Sequence, residues 1–163
     1  MSRREQIQMS GEEADAFLAD ERTVVCATNG VRGWPHLMPL WYVLRRSGPD
    51  GANELWAWTF AKSQKTRNLE RDPRASLQVE TGEEYHLLRG VLLECDTVVH
   101  RDLDTITGIG LEVFTRYAGR GSEGLAAEIE AMVRKQAEKR VGLQFVERRR
   151  ATWDHRKLGA GVY

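Results

Sequence analysis

Thr59-Phe60-Ala61-Lys62-Ser63-Gln64-Lys65-Thr66-Arg67-Asn68-Leu69 joins a strand-forming run to a helix-forming one. Ahead of it, Leu55-Trp56-Ala57-Trp58-Thr59-Phe60 is apolar and aromatic, as a buried strand requires. Behind it, Ser63, Thr66 and Leu69 recur at helical spacing until Asp72-Pro73, where proline disfavours the helical conformation of the residue before it. A helix that begins straight after a strand leaves several backbone N–H groups without partners, and its dipole puts partial positive charge at the same place. Lys62 and Lys65 add ammonium groups and Ser63 a hydroxyl. Hydrogen bonds to a charged partner contribute roughly 1.5 to 3 kcal/mol each, so a phosphate suits this junction. The same residues also read as a helix capped by Ser63 with a solvated basic face.

Working outward, Ser10-Gly11-Glu12-Glu13 has the spacing of a capping box and opens a short helix with Ala14, Phe17 and Leu18 on its apolar stripe. Arg22 to Thr28 predicts a strand, and Asn29-Gly30 with Gly33 a turn. Trp34 to Leu44 predicts the returning strand, and Ser47 to Asn53 a loop before the strand at Leu55 to Phe60. Three strands joined this way predict an antiparallel meander. Arg74 to Glu80 follows as a fourth strand, Thr81-Gly82-Glu83 as a turn, and Tyr85 to His100 as a long bent strand with a bulge at Gly90. Two helices come next: Arg101 to Tyr117, ended by Gly119-Arg120-Gly121, and a second running to about Arg140 with Leu125, Ile129, Met132, Val133 and Gln136 on one stripe. Val141 to Val146 and Ala151 to Trp153 read as one or two closing strands. No repeat or linker interrupts residues 1–163, which predicts a single α+β domain whose many antiparallel strands form a barrel.

Composition excludes several classes. The 163 residues carry 24 lysines plus arginines against 24 aspartates plus glutamates, so no net field favours nucleic acid. No apolar run approaches the roughly 20 residues of a spanning helix, and the polar start contains no export signal; the expectation is a cytoplasmic protein away from membranes. Cys26 and Cys95 lie far apart in apolar runs and read as buried free thiols. His36, His86, His100 and His155 are scattered without metal-ligand spacing, so no metal is expected. Nucleophile-elbow, phosphate-loop and dinucleotide fingerprints are all missing, which leaves any difficult chemistry to a cofactor.

The order and spacing of several pieces resemble the split β-barrel flavin and deazaflavin proteins related to pyridoxamine phosphate oxidase. The pieces are Gly33-Trp34-Pro35-His36 with Pro39 and Trp41, Trp56-Ala57-Trp58-Thr59 leading into Lys62 to Leu69, Asp72-Pro73-Arg74, Leu88-Arg89-Gly90-Val91, and Thr152 to Leu158. Within that family the chain looks most like the branch that binds coenzyme F420, a deazaflavin with a phosphodiester and an oligoglutamate tail.

The resemblance implies an antiparallel split β-barrel with flanking helices, and a homodimer whose cofactor sites lie between subunits. It implies an F420-dependent reductase passing hydride to a conjugated small molecule; the alternatives are a non-catalytic F420 carrier, a haem-binding module, or an FMN-dependent oxidase. The phosphate falls at Lys62, Ser63, Gln64 and Lys65, where the flavin-binding oxidases read serine-arginine-lysine. Gln64 in place of arginine removes one fixed charge, which suits a singly charged phosphodiester better than the terminal phosphate of FMN. Asn68, one turn beyond Lys65, orients Lys65 or the ligand, or is an exposed structural residue. Pro39 and Trp41 fall near the ring, with Trp41, Trp56 and Trp58 equally suited to core or interface. Arg89 either reaches the groove or is an ordinary barrel-surface residue. In the closing run, Trp153 and Lys157 are candidates to cover the ring and meet the tail, and His155 is a candidate proton donor.

Overall fold

The computed structural model describes residues 2–118 and 126–159. Two helices, α1 (Arg3–Gln6) and α2 (Gly11–Asp20), open the chain, each with the capping box that its serine and glutamate spacing encodes. The strands are β1 (Thr23–Asn29), β2 (Pro35–Trp41), β3 (Val43–Arg46), β4 (Asn53–Phe60), β5 (Arg74–Thr81), β6 (Arg89–His100) and β7 (Arg140–Asp154). Helix α3 (Gln64–Arg71) links β4 to β5, while α4 (Leu103–Ala118) and α5 (Ala126–Ala137) lie between β6 and β7.

All seven strands form one antiparallel sheet in the order β2-β1-β5-β6-β7-β4-β3. The predicted meander is therefore corrected. The run 34–44 is two strands, with Trp41 paired to Thr23 at one edge of the sheet and Val43 paired to Trp56 at the other. A single residue, Tyr42, crosses between the edges, so the sheet must curl until they nearly meet: this is the split barrel. Tyr42 is fully buried, and its hydroxyl donates to the carbonyls of Leu18 at 2.6 Å and Glu21 at 3.1 Å. Satisfying that hydroxyl inside the core ties the crossing to the end of α2.

The barrel interior holds Val24, Cys26, Leu77, Val79, Val91, Leu93, Leu143 and Phe145, closed by Phe17 and Leu18 of α2. Helix α4 covers the outer face of β3 and β4, where Ile109 and Val113 pack on Val43 and Trp56. Gly110 lets Trp58 reach the helix, since a Cβ there would meet the indole at 2.5 Å. Cys26 and Cys95 are buried and free, and burial pushes their thiols up to about 11 and about 12.

Other expectations are refined. The bulge in β6 and β7 falls at Glu94/Cys95, opposite the extra residue Arg148, and not at Gly90. Gly90 stays in register with Trp153, whose ring would lie 2.1 Å from a Cβ there. The two closing strands are one strand of 15 residues. On α5 the buried face is Val133 and Ala137, whereas Met132 and Gln136 are exposed, and the helix stops at Ala137 because Arg140 already belongs to β7. The predicted terminator Gly119-Arg120-Gly121 and the stripe residue Leu125 lie outside the described residues. Among the described residues no helix is long and apolar enough to cross a membrane.

Candidate functional site

The strand-to-helix junction forms as its sequence dictates. Ser63 caps α3, its hydroxyl accepting from the Thr66 amide at 3.2 Å, and the Thr66 hydroxyl donates to the Phe60 carbonyl at 3.0 Å. Lys62 is exposed and has no polar partner among the described residues. Lys65 differs sharply: it is 4 % exposed, and its single hydrogen bond among the described residues runs from Nζ to Thr59 Oγ1 at 3.3 Å. Burial holds its pKa below the ordinary lysine value. A buried ammonium with two unused donors and no carboxylate is costly unless an acceptor arrives.

Gln64 and Asn68 share one face of α3. Asn68 is completely buried, donating to Thr28 Oγ1 at 3.0 Å and accepting from Gln64 Nε2 at 2.9 Å. Its burial sets aside the exposed structural reading. Both residues line a cavity of about 400 Å³ together with Trp34 and His36 of the β1–β2 hairpin. The Nδ1 of His36 is buried there without a hydrogen-bond partner.

A second cleft, of about 480 Å³, is lined by Thr23, Pro39, Leu40, Trp41 and Trp58. Trp41 is held by stacking on Tyr117 of α4, centroids 4.5 Å apart and planes 9° apart. Strand β2 thus borders both cavities. His36 lies at one and Trp41 at the other, five residues or roughly 17 Å along an extended chain. A third cavity, of about 450 Å³, includes Arg74 and Arg148, but carboxylates engage both: Asp72 at 2.7 Å and Asp96 at 2.7 Å.

Residues 10–155 match the family model for pyridoxamine 5'-phosphate oxidase, which spans most of the chain. The chain belongs to the pyridoxamine 5'-phosphate oxidase family. A conserved hypothetical protein from Mycobacterium tuberculosis, Rv2991, is 40 % identical with a TM-score of 0.82, over 98 % of this chain and 93 % of that one. An F420 reductase is 19 % identical with a TM-score of 0.61, over 84 % of this chain and 94 % of its own. The haem storage protein HutZ from Vibrio cholerae is 15 % identical with a TM-score of 0.62, over 85 % and 89 %. The last two share the fold. No curated protein matches the sequence.

In this pyridoxamine 5'-phosphate oxidase-family chain the remaining candidates gather elsewhere. Arg89 begins β6, seven residues or roughly 23 Å along the strand from Asp96, which is in register with Arg74 just after α3. The Nε of Arg89 is 3.4 Å from Asp154 and its guanidinium lies over Phe17 at 4.9 Å. Asp154 is buried and bonded by Arg156 at 2.9 and 2.7 Å, which lowers its carboxyl pKa. Lys157 donates to Glu13 at 2.6 Å and to the Gln8 carbonyl at 2.9 Å. His155 is bonded through Nδ1 to the Tyr85 carbonyl at 2.8 Å, so that nitrogen carries the proton. Trp153 rests on Gly90. Within one chain, then, Lys62, Ser63, Gln64, Lys65 and Asn68 come together at the start of α3, and Pro39 and Trp41 line a cleft at the far end of β2 from His36. Arg89, Trp153, His155 and Lys157 pack at the opposite end of the sheet, against the N-terminal helices and the start of β6.

Sequence reasoning passed over His36, Thr28 and Thr59. Thr28 had a usable signal, since it continues the inward alternation of Val24 and Cys26.

Proposed function

We propose that this chain binds coenzyme F420 in a homodimer and is a reductase that passes hydride to a conjugated small molecule. The observation carrying the reading is Lys65: a buried ammonium with one long hydrogen bond and unused donors, beside the first amides of α3, those of Gln64 and Lys65, which the Ser63 cap does not engage. Such a donor set fits a phosphodiester. Gln64 keeps its neighbourhood at one fixed buried charge, which favours a monoanion over the dianionic phosphate of FMN.

When bound, the deazaflavin supplies two-electron hydride chemistry. The chain's residues bind and orient. Lys65, steered by Thr59, and the α3 amides hold the phosphoryl oxygens, and Asn68 fixes Gln64 through Thr28. Pro39, Trp41 and Trp58 exclude water from the ring cleft, which has no titratable side chain among its described lining residues, so the proton comes from water or from a group beyond them. His155 is such a group only if a second subunit supplies it, as are Arg89, Trp153 and Lys157. Strand β2 supports that assembly: it is a sheet edge with Leu37, Met38 and Trp41 exposed, next to Trp34 at 76 % exposure. An apolar edge left open on both faces invites a partner.

The test is a side-by-side fluorescence titration with oxidised F420 and with FMN. Micromolar or tighter binding of the deazaflavin alone is expected, and a preference for FMN overturns the cofactor assignment. Reoxidation of bound reduced F420 by a panel of enones and quinones follows. Rates at the no-enzyme background would replace the reductase by a carrier.

A further inference from the structure

Among the described residues five arginines are half-buried: Arg45, Arg89, Arg116, Arg140 and Arg150. Four face a carboxylate or carbonyl oxygens. Arg45 meets Glu112, Arg89 meets Asp154, Arg150 meets Asp15 and Glu147, and Arg116 donates to the carbonyls of Tyr42, Leu18, Ala19 and Glu21. Arg140 is the exception. Its Nε, like that of Arg89, is buried without a hydrogen-bond partner, but unlike Arg89 it has no ion pair among the described residues, and its single hydrogen bond there is a 3.4 Å contact to Gln136. Two aromatic faces hold it instead, Trp58 at 4.5 Å and Phe60 at 4.2 Å. Burial lowers its pKa with no carboxylate opposing the effect. A guanidinium has five donors in a planar fork suited to a carboxylate, and here nearly all are unspent.

Its place in the fold says which ligand could spend them. Arg140 is directly opposite Phe60 in the β4–β7 register, and the Trp58 indole beneath it is the same one that walls the cleft facing Pro39 and Trp41. Arg140 does not itself line the cleft, but a ligand packed there against Trp58 shares that indole with the guanidinium, so an anionic substituent reaching past the indole meets it. The cofactor's phosphodiester is assigned to the separate junction at Lys65, so the anion left for Arg140 is one carried by the substrate.

The geometry points to Arg140 as the residue that selects a carboxylate on a planar, conjugated substrate that docks at the Trp41–Trp58 cleft beside the cofactor ring. This rests on the cleft being the reaction site proposed above, but the test can separate the two. Calorimetric titration with 2-naphthoate and with neutral 2-naphthamide, on the cofactor-free protein and again with saturating F420, should show the acid binding about tenfold or more tightly. Arg140→Met should abolish that preference and leave amide binding unchanged. If Arg140→Met fails to fold, Arg140→Lys carries the same test, keeping the charge without the fork and losing most of the preference. Equal binding of acid and amide by the native protein overturns the inference, as does a preference that survives both substitutions. If Arg140→Met instead weakens F420 and spares the naphthoate preference, the guanidinium serves the cofactor and the inference falls. F420 binding without acid preference removes the role of Arg140 alone, whereas acid preference without F420 binding keeps that role and removes the reductase.

Discussion

Replacing Lys65 by methionine should make the protein more stable and its cofactor binding weaker. Methionine matches the lysine stem in length and apolarity but lacks the ammonium. The substitution gives up one 3.3 Å hydrogen bond to Thr59, at about 1 kcal/mol, and relieves the desolvation of a buried ion, which costs several kcal/mol when no counter-charge is present. A net gain of about 1 to 2 kcal/mol follows, or roughly 2 to 8 °C in Tm for a chain of this size. Binding moves the other way. Losing one charge-assisted hydrogen bond, at about 1.5 to 3 kcal/mol, weakens F420 by about 10- to 150-fold. The pH dependence provides an internal check. Because the folded-state pKa of Lys65 is lowered, the folded protein binds fewer protons than the unfolded chain between that pKa and the ordinary value of 10.5. Native stability therefore rises with pH across this window, and Lys65→Met flattens the rise. A bound phosphodiester raises the lysine pKa again, so F420 affinity should fall as pH climbs through the same window. Thermal melts and fluorescence titrations at several pH values measure both quantities. A Tm lowered by several degrees with unchanged affinity would refute the reasoning, because Lys65 would then be a packing residue with no ligand to serve.

Met38→Asp places a charge on the exposed face of β2 and should convert a dimer into a monomer by light scattering while leaving the monomer fold intact by circular dichroism. Asp154→Asn should cost about 1 to 3 kcal/mol at neutral pH in urea unfolding, since Arg156 and Arg89 lose their carboxylate. The native Asp154 pKa is depressed, so its contribution is fully present above the ordinary carboxyl value of 3.8 and is lost as pH falls through the folded pKa; the asparagine variant should lack that acid limb. Cys26 and Cys95, with thiols pushed up to about 11 and about 12, should resist iodoacetamide at pH 8 in the native state and be labelled together on unfolding, as mass spectrometry would show.

Features set by neighbouring residues were legible in the sequence. The caps at Ser10 and Ser63, the stop at Asp72-Pro73 and the strand character of β1 depend on residues within a few positions, and they form as read. The edge switch at Tyr42 was not legible, because Trp34 to Leu44 is one continuous strand-like run and its division depends on a hydroxyl satisfied by α2, some twenty residues upstream. Gly90 illustrates the same limit: its missing side chain answers to Trp153, far along the chain, and a local reading makes it a bulge. At the site, residue types pointed to the junction, but the burial of Lys65 and Asn68 comes from Thr59 and Thr28 on two different strands. Spacing along α3 cannot distinguish a buried ammonium from a solvated one.

The charge distribution fits a site that recognises its ligand at contact range. With 24 positive and 24 negative side chains there is no net field to steer an anion from a distance, and several exposed arginines, among them Arg74, Arg148 and Arg156, sit against carboxylates. Around the two proposed anion positions, three cations have no carboxylate partner among the described residues: the exposed ammonium of Lys62, the buried one of Lys65, and the guanidinium of Arg140 against its rings. Salt screens the first of these within about 8 Å at physiological ionic strength and barely reaches the other two. Anion affinity built on Lys65 and Arg140 should thus change little between low and moderate salt, and a steep salt dependence would assign the binding to Lys62 and the surface instead.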